Sequence, residues 1–165
     1  MTQDRVDFIL AQWAKERPEL DTSAIGVIGR ISRSSRYIDQ HLTKNFAKFG
    51  LNQGEFDVLA TLRRYGSSYL MTPSELLNAL MLSSGAMTNR LDRLEQSGYI
   101  ERKAHPEDRR GVLVVLTEEG TKKIDEVVIA HTEFEKELLA SLTTAEQKQL
   151  ASLTRKLLLS FGDDV

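Results

Sequence analysis

Apolar residues recur every three or four positions along most of the chain, the spacing of one helix face. The first such stretch covers residues 6–13 and ends before Pro18. A longer one covers residues 28–49 and is followed by Gly50, a typical residue just past a helix end. So long a seam packs either into the core of its own chain or across a dimer interface.

Two short helices separated by a tight turn are predicted in the middle of the chain, after a helix around residues 56–62. Thr72, Pro73 and Glu75 form a capping box with proline at the first helical position. Ser-Ser-Gly at 83–85 interrupts this helix, and the next one ends at Ser-Gly, residues 97–98. Its inward positions are Met87, Leu91 and Leu94.

The pattern then changes to β-branched or alternating residues, which predict strands over residues 99–103 and 112–116 with a polar hairpin loop between them. Thr117 caps a long helix, and a second capping box, Thr143 with Glu146, starts the last one. This order predicts a mainly α fold: a winged helix-turn-helix with a small β-hairpin wing, plus long N- and C-terminal helices that form a dimerisation layer. We assign residues 1–50 to N-terminal dimerisation helices, 51–117 to the DNA-binding domain and 118–165 to C-terminal dimerisation helices.

Composition excludes several classes of function. The absence of cysteine removes disulfides, thiolate metal sites and cysteine nucleophiles. The three histidines lack metal-ligand spacing, and no glycine-rich phosphate loop or acid–base pair stands at a useful spacing. We therefore expect a protein that is not an enzyme and has no cofactor or metal. No apolar run reaches the ~18 residues of a membrane span, so a cytoplasmic protein without a membrane partner is expected.

The net charge of −2, taken alone, argues against a nucleic-acid binder, because such domains are usually basic. The acidic residues, however, concentrate in the last two predicted helices, and arginines concentrate in the predicted wing region. The charge pattern therefore predicts a DNA surface made of a few aimed arginines, doubled by a dimer, and excludes only binding by bulk charge.

Small hydrogen-bonding residues open the helix after the tight turn, as close approach to base edges and phosphates requires. The hairpin tip carries two arginines suited to a narrow minor groove, with an acid placed to brace one of them. The predicted DNA-contacting residues are Ser83, Ser84, Ala86, Met87, Thr88, Asn89, Arg93, Arg109 and Arg110, with Asp108 as the brace. A winged-helix module that binds proteins and never touches DNA is the alternative.

These residues resemble the MarR-type transcriptional regulators. Residues 108–117, Asp-Arg-Arg-Gly-Val-Leu-Val-Val-Leu-Thr, match the wing signature of that family, and residues 82–95 look like its recognition helix. The resemblance implies a homodimer that binds a pseudo-palindromic operator in double-stranded DNA, most often as a repressor. It also implies release of the DNA by a small effector, commonly phenolic or anionic.

A narrower resemblance concerns the urate-responsive branch of the family, which carries an extra N-terminal helix. That branch implies four effector-binding positions: Trp13, Asp57, Arg90 and Arg102. A tryptophan can stack on a purine ring, and an arginine can pair with an anionic edge. The alternatives are that Trp13 is a core residue, that the other three form a structural ion-pair cluster, or that the effector is a different phenolic compound or an antibiotic.

Overall fold

The computed structural model describes residues 2–66, 70–80, 84–108 and 111–163. It confirms the predicted fold class, a mainly helical chain with one two-stranded antiparallel hairpin in the described part. The helices are α1 Arg5–Glu16, α2 Ser23–Ala47, α3 Gln53–Arg64, α4 Pro73–Ala79, α5 Ser84–Gln96, α6 Glu118–Leu138 and α7 Thr144–Ser160, and the strands are β1 Ile100–Ala104 and β2 Val112–Leu116. The chain divides into two units, Met1–Lys44 and Asn45–Val165.

The first unit holds α1 against α2 through one arginine. Asp4 caps α1 by accepting hydrogen bonds from the backbone amides of Val6 and Asp7. Arg30 of α2 pairs with both carboxylates, its Nε 2.8 Å from Asp4 Oδ2 and its Nη2 2.6 Å from Asp7 Oδ1. Val6 is buried and lies against Gly29, where an added Cβ would meet its methyl groups at 3.5 and 3.7 Å.

The second unit buries a continuous apolar core beneath α3, α5, α6 and the hairpin. The strands pair in the register that sets Arg102 opposite Val114, and β1 starts one residue later than the sequence pattern predicts. Met71, just before α4, adds a short bridge to the other side of β2 at Val114. The central members of this core are Phe46, Val58, Leu59, Leu76, Met87, Leu91, Leu94, Ile100, Val114, Ile124 and Val127.

The first turn of α6 lies directly on the base of the hairpin. Thr117 caps this helix, and its backbone amide donates to the Tyr99 carbonyl at 3.1 Å. A side chain at Gly120 would overlap that same carbonyl group, so only glycine permits this approach. The approach fixes where α6 leaves the wing.

Within the described residues, apolar side chains stay exposed along α7 and along α2. In the second unit, Leu150, Leu153 and Leu158 of α7 and Phe161, which follows it, are exposed to solvent. In the first unit, Ile28, Ile31 and Ile38 of the long α2 seam are also exposed. The part of the seam within the first unit is therefore not core of the isolated chain.

Replacing Gly120 by alanine should lower the free energy of unfolding by about 1–3 kcal/mol, because the new methyl group collides with rigid backbone. Gly85→Ala is the matched control, since a Cβ at Gly85 meets no neighbour and the change should stay within about 0.5 kcal/mol. Urea unfolding of both variants measures the difference. Equal stabilities would show that the approach of α6 to Tyr99 does not constrain the fold.

Candidate nucleic-acid interface

Helix α4 begins as its capping box predicts. The Glu75 carboxylate accepts hydrogen bonds from the Thr72 amide at 2.7 Å and the Thr72 hydroxyl at 2.9 Å, and the Thr72 hydroxyl accepts from the Glu75 amide. These bonds hold the pKa of Glu75 below its usual value. Pro73 occupies the first turn, and Leu76 anchors the helix in the core.

Helix α5 separates its two faces cleanly. Met87, Leu91 and Leu94 are at most 2% exposed and fix the helix to the core. Thr88, Asn89 and Arg93 are exposed on the other side, and Ala86 is half-buried. Met87 was also expected to contact DNA. Its burial conflicts with that expectation, because Met87 lies on the same inner face of the helix as Leu91 and Leu94.

The other predicted DNA contacts are placed only in part. Ser84 is the first residue of α5. Ser83, Arg109 and Arg110 lie outside the described residues. Arg93 extends from the exposed face, with its guanidinium 3.8 Å from Glu55 and its side chain 71% exposed, so it is held loosely.

Arg102 connects the wing to α5. Its guanidinium donates to Glu95 at 2.5 Å and to Asp92 at 2.6 Å, and its backbone amide also donates to Glu95. The two carboxylates outweigh the effect of burial and raise the pKa of Arg102. Sequence reasoning proposed Arg102 for an effector and missed these partners, although both acids stand on α5 seven and ten positions upstream.

Arg90 of α5 lies against the start of α3, the helix that carries Asp57. The Arg90 guanidinium covers Gly54, where any Cβ would collide with it, and its charge acts on Asp57. Of the four predicted effector residues, Asp57 and Arg90 interact electrostatically within the second unit, while Arg102 is paired with Asp92 and Glu95. Trp13 lies on α1 in the first unit and is 42% exposed.

Asp57 is half-buried beside a cluster of rings. Burial raises the pKa of Asp57, and the charges of Arg90, His131 and Arg64 oppose that rise. His131 of α6 packs against Phe56 and Phe46, with ring centroids 4.7 and 5.1 Å away. Its Nδ1 atom is buried without a hydrogen-bond partner among the described residues.

Backbone and side-chain contacts join the described residues of the wing turn, which are 105–108 and 111. The His105 amide donates to the Gly111 carbonyl, and the Gly111 amide donates to the Asp108 carbonyl, both at 2.9 Å. His105 Nδ1 lies 3.2 Å from the backbone nitrogens of both Glu107 and Asp108. Sequence reasoning treated His105 only as a histidine without a metal partner.

In the described part of the chain, no group of three or more histidine or acidic side chains is placed to hold a metal ion. No helix described there has the length and apolar character needed to cross a membrane. A groove of about 310 Å³ lies between α4, α5 and the wing. It is lined by Pro73, Ser74, Leu77, Met87, Thr88, Leu91, Arg102 and Val112.

Known proteins with this arrangement are transcriptional regulators. The MarR family model matches residues 51–112. The regulator PecS of Dickeya dadantii is 45% identical over 148 residues, which cover 90% of this chain and 89% of PecS. MhqR of Bacillus subtilis is 31% identical over 76% of this chain and 85% of MhqR.

Solved structures agree with these relatives. A mutant of MarR from Escherichia coli, complexed with operator DNA, has a TM-score of 0.73 at 32% identity and covers 83% of this chain and 97% of its own. The apo form of wild-type MarR from E. coli has a TM-score of 0.67 at 32% identity, and the match covers 79% of this chain and 96% of that MarR chain.

Asp57→Asn should raise the free energy of unfolding near neutral pH. The pKa of Asp57 is higher in the folded chain than its ordinary value of 3.8. Ionising this carboxyl as pH rises to neutral therefore costs the folded state more than the unfolded state and lowers stability. Asparagine removes that cost, and its advantage should disappear as pH falls below the ordinary pKa. Urea unfolding at several pH values measures the effect.

Asp125→Asn is the control with the opposite sign. A hydrogen bond from Arg63 lowers the pKa of Asp125, so its carboxylate stabilises the fold above 3.8 and loses that contribution as pH falls. The variant should therefore be less stable than the wild type near neutral pH. A loss of stability in Asp57→Asn would contradict the assignment of Asp57 as a carboxylate held at a cost.

Proposed function

This chain belongs to the MarR family of transcriptional regulators, and we propose that it binds a pseudo-palindromic operator as a homodimer and releases it when a small anionic or aromatic effector binds. The family assignment agrees with the expectation that the protein is a regulator and not an enzyme. We propose repression as the outcome of binding and urate as one candidate effector.

The observation that carries the proposal is the division of α5 into two faces. Three core side chains fix the helix, and Thr88, Asn89 and Arg93 are left on its exposed side, between a capped α4 and the hairpin. Side chains of these types donate to phosphates and base edges from a helix lying in the major groove. A related protein, MarR from E. coli, has been crystallised with operator DNA.

The exposed apolar surfaces support the homodimer. Leu153 of α7 is 59% exposed and Phe161 is 73% exposed, and neighbouring leucines extend the same surface. Contiguous apolar surface of this kind marks a site of association in a protein that is otherwise well packed. A two-fold dimer would bring a second α5 to the DNA and match a palindromic operator.

Arg110→Ala should weaken operator binding by roughly 1–3 kcal/mol if the wing arginine enters the minor groove. The probe is a duplex recovered with the wild-type protein from a random pool by in vitro selection. Lys122→Ala on α6 is the control for a lost surface charge, and it should bind as the wild type does. Gel-shift titration gives the affinities, and light scattering of the complex should show two protomers for each duplex.

Unchanged affinity of Arg110→Ala would remove the wing from the binding mechanism. A single protomer on the duplex would contradict the homodimer. If the wild-type protein enriches no sequence at all, DNA recognition itself fails, and the protein-interaction module becomes the better reading of the fold.

The ion pairs of Arg102 support a response to an anion. Arg102 lines the groove between α4, α5 and the wing while it pairs with Asp92 and Glu95 of α5. An anionic effector in this groove would compete with those carboxylates for the guanidinium. The competition would loosen α5 from the wing, which gives the effector a different affinity for the DNA-binding and the released states.

Urate should raise the melting temperature of the wild-type protein and release it from the selected duplex, because binding to the folded state stabilises that state. Trp13→Ala should lose both effects if the indole stacks on the purine. Phe8→Ala, which removes another exposed aromatic side chain of α1, is the matched control and should respond normally. Thermal shift and DNA release are the two measurements.

A wild-type protein that neither shifts nor releases DNA with urate would exclude urate as the effector. Aromatic acids, phenols and other purines are then tested in the same two assays. A response to one of these that survives Trp13→Ala would exclude Trp13 from the effector site.

A further inference from the structure

The first turn of α3 faces two arginines of α5. The Arg90 guanidinium covers Gly54, where any Cβ would collide with it. One turn further along α5, Nη1 of Arg93 lies 3.8 Å from Oε1 of Glu55. Arg93 is the one of the two whose side chain extends into solvent and is predicted to contact DNA. The packing of α5 on α3 therefore places a carboxylate beside a DNA-contacting cation.

Glu55 is the fixed partner of this ion pair. Its Oε2 accepts a hydrogen bond from the Asn52 amide at 2.9 Å, and its own amide donates to the Asn52 side chain at 3.0 Å. The Glu55 side chain is 10% exposed, whereas that of Arg93 is 71% exposed. One carboxylate oxygen thus completes the capping box of α3 while the other faces the arginine, and any movement within the pair belongs to Arg93.

We propose that Glu55 is a positioning residue for DNA recognition: its capping carboxylate restrains the Arg93 guanidinium on the exposed side of α5 and competes with DNA phosphates for it. The role rests on the proposed function, since it presupposes that α5 contacts DNA. An unrestrained arginine pairs with the phosphates of any sequence, because phosphate contacts carry no sequence information. A fixed carboxylate lowers that general attraction and keeps the guanidinium directed toward the duplex that α5 fits.

The strength of the pair allows DNA to break it. At 3.8 Å, with the arginine mostly in water, the pair contributes little to stability, as exposed ion pairs generally do. A phosphate that accepts a direct hydrogen bond from Arg93 is therefore the stronger partner. Glu55 consequently restrains Arg93 in the free protein without preventing its contact with DNA.

Glu55→Gln separates the charge from the cap, because glutamine also completes a capping box. Glu146→Gln is the matched control, since it makes the same change in the capping box that Thr143 forms on α7 and alters the net charge equally. Arg93→Ala, alone and combined with Glu55→Gln, completes a double-mutant cycle. Fluorescence anisotropy over a series of salt concentrations gives the affinities for the selected duplex and for a shuffled duplex of the same composition.

Glu55→Gln should bind the shuffled duplex about two- to fivefold more tightly for each protomer, the range expected for the loss of an exposed ion pair. Its salt dependence should become steeper by about one released counterion for each protomer, because Arg93 becomes available to a phosphate. Affinity for the selected duplex should change less, since the freed charge and the lost direction have opposite effects. The preference for the selected duplex should therefore fall. In the Arg93→Ala background, Glu55→Gln should change neither quantity.

A Glu55→Gln protein with the affinities and salt dependence of Glu146→Gln would overturn the positioning role. An effect that persists in the Arg93→Ala background would overturn it as well, because the charge would then act without the arginine. Weaker binding of both duplexes together with a lower melting temperature would show that Glu55 is only a helix cap.

NMR of the free protein tests the ion pair without DNA. The Nε–H signal of Arg93 should shift in Glu55→Gln and stay in place in Glu146→Gln. A signal that ignores Glu55→Gln would overturn the ion pair itself. A responding signal in a protein that binds neither duplex would overturn the proposed function, and the positioning role with it.

Discussion

The ion pairs of Arg102 determine how the two predicted DNA-contacting elements are joined. The guanidinium sits on β1, and both of its partners, Asp92 and Glu95, sit on α5. Apolar packing of Leu94 and Ile100 brings the helix and the strand together, but such packing has little directional preference. Charged hydrogen bonds from one guanidinium to two carboxylates add direction, because its N–H groups donate within one plane and along fixed directions.

The same ion pairs change the meaning of the weakly negative net charge. Arg102 is neutralised by acids of its own domain, and the charge of Arg90 acts on Asp57. Arginines balanced in this way add little to nonspecific attraction for phosphates, which scales with the number of uncompensated cations brought to the DNA. Discrimination then depends on whether the α5 side chains and the wing match the sequence they meet, and that favours specific over nonspecific complexes.

Local signals in the sequence predicted the helix starts correctly, because a capping box is encoded within four residues: Thr72 with Glu75, and Thr143 with Glu146, behave as expected. The hairpin followed from strand propensity in the same way. Contacts between distant segments did not follow. Met71 joins β2 across more than forty residues, and the fit of Arg90 over Gly54 depends on how α5 crosses α3, which no spacing rule contains.

Met87 shows a different limit of sequence reasoning. Its small neighbours in the first turns of α5 suggest DNA contact for the whole stretch, yet helical periodicity assigns it to the face of Leu91 and Leu94. The periodicity prevails, because turning Met87 outward would expose its apolar side chain to water and would also leave a cavity in the core. The helix therefore divides this stretch of residues into an exposed face, which can contact DNA, and a buried face, which packs on the core.

Asp57 is the residue whose placement packing explains least. The fold keeps a half-buried carboxylate beside the rings of Phe56 and His131, where burial raises its pKa and works against its charge, and it leaves His131 Nδ1 without a partner among the described residues. An amide would fit the same space without the penalty for burying a charge. Groups held at such a cost concentrate at functional sites. The charge of Arg90 opposes the rise in the pKa of Asp57, so the carboxylate and the helix that carries the DNA-contacting face interact electrostatically.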